Sequence, residues 1–310
     1  MTNVIEFLKN NNLMDDPIET KVLMPSPYNQ NEIHFIVDGD KRYVFKIYRD
    51  GHIKEYQNEL DCISMFNKIN ALSTISPKIY MAGTIRVDGE DKDYIIEEYF
   101  NGTSMDIFIE QLDDSELKHI ADDVMKIFET EENLISVPYY SDDSETMIEK
   151  AMNKALNKLK IDWIRRLDFS SDAINKCIEL SKEANNPKAL HLITQDLRAR
   201  HLLYNNTGFI GIIDLEYVKL NDIALEIGHF LHDLLLLNTS NSKRLFYILR
   251  DKLNEKYSRE DINRIYLYMI KQGITNVASK MDRGLDMDIV LAEIKTIKKY
   301  IVSRNIDDIL

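Results

Sequence analysis

The sequence predicts an α+β chain of two lobes, a small β-rich one followed by a large helical one, and three observations carry that expectation. Apolar residues alternate through the first hundred positions, helical periodicity governs the remainder, and one apolar hairpin interrupts the helices. That interruption reads HLITQDLRARHLLYNNTGFIGIIDLEYV, from His191 to Val218. With 310 residues and 44% hydrophobic content, the chain can bury a sizeable core as one large domain or two lobes.

EIHFIVDGDKRYVFKIYRD places two β-rich segments around a turn at Asp38, Gly39 and Asp40. Ile53, Tyr56, Leu60 and Ile63 then recur every three to four residues, a helical stripe on an element that also carries Glu59. SPKIYMAGTIRV and KDYIIEEYF add two strands across the turn-like DGEDKD. The expected order is therefore β-β-β-α-β-β, a five-stranded lobe with a short helix in front. NGTSM marks the boundary, which assigns residues 1–100 to the first lobe, 101–105 to a linker and 106–310 to the helical lobe. Helices are expected at about 113–132, 144–166, 171–185, 222–238, 241–255, 259–278 and 285–304.

Charge and cysteine content narrow the function. A net charge of −13 disfavours nonspecific binding to nucleic acid or to an anionic membrane and suits a cationic substrate, although a solvated acidic surface gives the same sum. Cys62 and Cys177 are far apart and have no metal-ligand spacing, so neither a disulfide framework nor a zinc site is indicated. The start, MTNVIEFLKNNNL, lacks a signal-peptide pattern, and the apolar run ending LLLLN is too short to span a bilayer. The expectation is a cytoplasmic protein with no membrane or nucleic-acid partner.

Four residues draw attention in order. Lys46 lies in YVFKIY; it either projects from a half-buried strand toward phosphate or points its charged head to solvent, where its loss would cost the fold little. Glu59, on the next helix, could hold that lysine as a helix carboxylate does in phosphoryl transfer. Asp196 follows the apolar LHLI where a strand meets a loop, a place for a general base or for an N-cap. Asp214 ends GFIGIID, where an ionised carboxylate needs a partner, either a divalent metal or Arg198 or Arg200. A small β-rich lobe, a short linker and a helical lobe containing one hairpin is the plan of the bilobal protein-kinase-like fold.

TQDLRARH, IIDLE and NDIALEIG then resemble, in order, the catalytic loop, the post-hairpin IDxE and the following helix start of the aminoglycoside phosphotransferase and choline kinase superfamily. The resemblance runs from about residue 19 to about 235. It implies Asp196 as catalytic base, Asp214 and His201 as metal ligands, and Lys46 and Glu59 as the phosphate-gripping pair. It also implies Ser26 against phosphate and Glu98, Tyr99 and Phe100 of IEEYFNG as the segment receiving the purine. Asp222 and Glu226 would anchor the loop to the next helix. The implied co-substrate is ATP or GTP with magnesium, or with manganese.

The activity so implied is transfer of the γ-phosphate to a hydroxyl of a small, amine-bearing acceptor, an aminoglycoside-like antibiotic or an amino alcohol. Glu129, Glu131, Glu132, Asp142 and Asp143 would suit its positive charge. The chain departs from the pattern where histidine and glycine are replaced by Thr194 and Gln195 and an asparagine by His201. Those changes keep a second expectation in view, a catalytically weak or inactive kinase-fold binding protein.

Overall fold

The computed structural model describes residues 4–24, 31–49, 53–69, 72–141, 143–159, 171–285 and 287–302. Contacts divide the chain into two compact units, Met1–Thr103 with His201–Val218, and Ser104–Arg200 with Lys219–Leu310. The hairpin after Arg200 thus groups with the N-terminal strands, although it lies within 106–310 in sequence.

In the first unit, helix α1 (Val4–Asn10) precedes strands β1 (Ile18–Leu23), β2 (Glu32–Asp38) and β3 (Lys41–Ile47); helix α2 (Ile53–Phe66) follows, then β4 (Ile79–Val87) and β5 (Glu90–Glu98). The five strands form one antiparallel sheet in the order β1-β2-β3-β5-β4. The β2–β3 turn closes where Asp38 pairs with Lys41, and Gly39 supplies its left-handed residue at φ +58°.

Strand alternation decides which side chains meet which helix. Phe45 and Ile47 of β3, with Tyr94 and Ile96 of β5, share a core with Val4 and Leu8 of α1. Phe45 stacks on Tyr94 with ring centroids 4.9 Å apart. Lys46, between Phe45 and Ile47, is therefore on the opposite face with its pairing partner Ile95. Helix α2 packs on β4 and β5.

The hairpin of Leu202–Asn205 and Gly208–Ile212 is antiparallel and is tied into the same unit by the Ile212 N–H, which donates to the Ile75 carbonyl at 2.7 Å. Gly211 is obligatory there, because a Cβ would stand 2.5 Å from the Phe100 ring.

The second unit contains helices α3 (Asp114–Leu134), α4 (Met147–Lys158), α5 (Ser171–Glu183), α6 (Ile223–Leu237), α7 (Ser240–Lys256), α8 (Arg259–Asp282) and α9 (Met287–Val302). A small sheet, ordered Lys219–Asn221, Ala189–Ile193, Ser136–Pro138, accompanies them. Capping boxes led by Asp113, Thr239 and Ser258 start α3, α7 and α8. Helix α6 is buried along most of its length and meets α8 at Gly228, where a Cβ would lie 2.8 Å from the Ile265 carbonyl oxygen. Among the described residues, no helix is long and apolar enough to cross a membrane.

Candidate active site

The first unit buries a charged cluster on the Lys46 face of its sheet. Lys46 is only 6% exposed, so its ammonium does not face solvent; it donates to Glu59 Oε2 at 2.6 Å and to Asp214 Oδ1 at 3.4 Å. The Tyr48 hydroxyl donates to the same Glu59 oxygen, and Glu59 Oε1 is buried with no hydrogen-bond partner. Burial, the largest influence, would lower the Lys46 pKa, but Glu59, Tyr48, Asp214 and Glu216 together hold it well above the usual lysine range.

Asp214 stands in the left-handed region at φ +67°, an unusual conformation for aspartate that fixes its carboxylate just past the hairpin. Its Oδ2 lies 3.4 Å from His201 Nε2, and the His201 side chain is only 5% exposed. Lys46 is the ion-pair neighbour of Asp214 within this unit. Carboxylate oxygens of Glu59, Asp214 and Glu216 all lie within 4.8 Å of one another. Burial raises the Glu216 pKa to about 7 against the opposing pull of Lys46, with Asp214 and Glu59 adding to the rise. Three acidic groups thus share one lysine, and the surplus of negative charge and hard oxygen donors fits a divalent cation.

Glu97 on β5 extends the same imbalance. Its Oε2 is buried and has no hydrogen-bond partner, and burial followed by Glu59 pushes its pKa up to about 8. The next three residues are those expected at the purine. The Glu98 N–H donates to the Lys78 carbonyl, the Tyr99 ring meets Phe35 edge-on at 5.9 Å, and the Phe100 carbonyl accepts from the Gly102 N–H. Ser26 lies outside the described residues.

Asp196 belongs to the second unit, where helix α6 holds its loop. Glu226 accepts from the Leu197 N–H at 3.0 Å and from the Thr194 hydroxyl, and Asp233 accepts from the Ala199 N–H at 3.0 Å. Glu131 of α3 takes the Thr194 N–H at 3.1 Å. Burial raises Glu226 to about 7, despite the hydrogen bonds it accepts, and raises Glu131 as well. Gln195 occupies the left-handed region at φ +64°, the conformation that glycine adopts without strain. The Asp196 carboxylate itself accepts from Arg198 Nε at 2.7 Å.

Asp222 departs from its expected partner. It caps α6 at Ala224 and pairs with Arg264 of α8 at 2.9 Å, leaving the loop to Glu226.

The acidic residues expected to attract a cationic acceptor are taken. Lys256 pairs with Glu132 at 2.8 Å and with Glu129 at 3.4 Å, Lys150 pairs with Asp143, and Glu131 is buried under the loop. Asp142 lies outside the described residues. Residues that the sequence reading left without a role are Glu97, Glu216 and Gln195. Glu216 was visible as the last residue of IIDLE, whereas Glu97 looked like any strand glutamate.

Solved structures similar to this chain include several aminoglycoside phosphotransferases. A thermostable mutant of the aminoglycoside phosphotransferase APH(4)-Ia, with ADP and hygromycin B, aligns over 98% of this chain and 99% of its own at 13% identity, TM-score 0.68. APH(2″)-IIia with GDP and kanamycin covers 97% and 98% at 13% identity, TM-score 0.66. Spectinomycin phosphotransferase APH(9)-Ia with ADP and spectinomycin covers 96% and 93% at 13% identity, TM-score 0.57. No curated protein matches the chain in sequence. Residues 29–242 match the model of the phosphotransferase enzyme family, and the chain belongs to that family.

Two predictions follow from the buried charges. Lys46→Met leaves Glu59 buried without its cation and should cost about 3–5 kcal/mol in urea unfolding, with part of the loss recovered when Glu59→Leu is added. A loss below about 1 kcal/mol in the single variant would mean the pair is solvated.

The second concerns pH. Glu97 keeps its proton in the folded state up to about pH 8. The unfolded chain releases it near the ordinary glutamate value of about 4.3, so this group's contribution to stability falls as pH rises through that window. Glu97→Gln should flatten the decline, and its advantage in melting temperature over the parent should be greatest above pH 8. Parallel stability profiles for the two proteins would contradict the assignment.

Proposed function

We propose that the protein is a small-molecule kinase that transfers the γ-phosphate of ATP or GTP to a hydroxyl of its acceptor. The observation that carries this reading is the Lys46 ammonium bonded at once to Glu59 and Asp214, with more carboxylate around it than one lysine offsets. Phosphoryl transfer needs charge stabilisation and positioning more than covalent participation by the protein. In this reading Lys46 grips the phosphates and Glu59 fixes the lysine. The segment Glu98–Phe100 receives the purine, as the family resemblance implies. Asp214, with Glu216 and His201, holds magnesium or manganese, which when bound offsets the charge on the phosphates.

Asp196 accepts the proton of the acceptor hydroxyl. The hydroxyl oxygen then bonds to the γ-phosphorus, the bond from that phosphorus to the bridging oxygen breaks, and the nucleoside diphosphate leaves. The hydrogen bond that Asp196 accepts from Arg198 Nε orients its carboxylate. The departures at Thr194 and Gln195 do not favour an inactive protein, because the Thr194 hydroxyl bonds to Glu226 and Gln195 takes up a glycine-like backbone.

The ligands of the solved relatives, hygromycin B, kanamycin and spectinomycin, speak for an amine-bearing acceptor. The pairing of Glu129, Glu132 and Asp143 with lysines removes the acidic cluster as a reason to prefer one.

Asp196→Asn should lower turnover by about 10²–10⁴-fold, with nucleotide affinity nearly unchanged. His201→Asn should move the metal preference from manganese toward magnesium, because it exchanges an imidazole ligand for an oxygen. Phosphate transfer assayed with each metal and nucleotide tests both. Activity of Asp196→Asn within a few-fold of the parent would reduce Asp196 to a loop residue, and an unchanged metal ratio would take His201 out of the coordination sphere.

A further inference from the structure

In a chain of net charge −13, the surroundings of Lys271 are positive. Lys271 lies midway along α8 and is half-buried, and the charges that press on it are Lys158, Lys219 and Lys154. Lys154 and Lys158 are one helical turn apart on α4 and exposed, and Lys219 is exposed at the start of the short strand before α6. Exposed lysines alone are ordinary. A half-buried ammonium whose charged neighbours are cations is not, because desolvation and repulsion both oppose it. Burial is the greater of the two, and together they bring its pKa down to about 8. Among the described residues Lys271 has no carboxylate partner.

Its hydrogen bonding points toward the catalytic loop. Lys271 Nζ lies 3.3 Å from His229 Nε2, and His229 Nδ1 lies 3.0 Å from the Gln195 carbonyl oxygen. A carbonyl can only accept, so Nδ1 carries the proton and donates, and Nε2 accepts from the ammonium. Burial, then the charge of Lys271, keeps the imidazole neutral, in accord with that arrangement. An ammonium has three N–H donors, and among the described residues this one meets only His229, leaving two that solvent or a ligand can take. Gln195 immediately precedes Asp196, so one imidazole ring separates the lysine from the backbone that carries the proposed base.

We propose that Lys271, with Lys154, Lys158 and Lys219, binds an anionic group of the acceptor, a phosphate or a carboxylate, so that the substrate is an acidic hydroxyl compound and not a polycation. This rests on the kinase reading above and names the substrate class of that site. The ligand's negative charge offsets the repulsion among the four lysines and accepts from the two remaining Lys271 donors. His229 acts as a positioning residue that aligns the lysine with the loop.

The test is calorimetric titration of the full chain, saturated with AMP-PNP and magnesium so that the nucleotide site is filled, first with inorganic phosphate and then with acetate. Phosphate binding in the parent should weaken about 10-fold or more in Lys271→Met. It should weaken less, but measurably, in Lys154→Ala/Lys158→Ala, whose exposed positions leave the fold intact. Binding of acetate in place of phosphate would assign the site to a carboxylate. Binding of neither, or binding indifferent to both variants, overturns the proposal.

Transfer assays on phosphorylated, carboxylated and purely amine-bearing alcohols complete the test. The first two classes should be used, with kcat/KM falling in Lys271→Met. Turnover of amine-only alcohols that ignores Lys271 would also overturn the inference. Failure of AMP-PNP to bind would instead remove the kinase reading, and the phosphate titration with its variants would still decide whether the cluster binds anions.

Discussion

A lysine at 6% exposure keeps its charge at least cost beside a carboxylate, and the pairing of Lys46 with Glu59 ties strand β3 to helix α2. Alternation along β3 sends Phe45 and Ile47 into the apolar core under α1 and leaves Lys46 for the other face. Glu59 then has to come from the helix that packs on that face. Asp214 reaches the same ammonium through a left-handed backbone at the end of the hairpin. The pair and its neighbours are costly to bury, and such cost is tolerated where charge must be preorganised for a ligand. Burial, with the neighbouring carboxylates adding to it, raises the pKa of both Glu97 and Glu216.

The second unit solves a different problem, the rigid presentation of one loop. Glu226 collects the Thr194 hydroxyl and the Leu197 N–H, while Asp233 takes the Ala199 N–H, so that α6 holds the backbone on both sides of Asp196. Helix α6 is itself fixed by its close approach to α8 at Gly228 and by the Asp222–Arg264 pair. The loop is therefore as rigid as the helix packing beneath it.

Much of this was legible in the residues. The turn at Asp38–Asp40, the helical stripe through Glu59 and the apolar runs ending at Ile193 and Ile213 each have a local cause, and the elements stand where those causes put them. Lys46 and Glu59 are thirteen positions apart across a strand-to-helix connection, a spacing that alternation and helical phase resolve. The burial of Lys46 was not legible, because alternation gives the face of a strand and not what covers it. Nor was the fate of the acidic residues near Glu132. Their lysine partner, Lys256, is 124 positions away, and no local pattern connects them. Gln195 is the opposite case: sequence alone made it a departure from the family pattern, and only its backbone angle shows that the glycine-like conformation is kept.

The account depends most on Asp214 joining a buried lysine to a divalent cation. Nucleotide affinity of the parent and of Asp214→Asn, measured calorimetrically with and without magnesium or manganese, tests that directly. The account predicts that metal tightens nucleotide binding to the parent and that Asp214→Asn loses most of this gain while keeping a comparable metal-free affinity. An equal metal effect in the two proteins would contradict it.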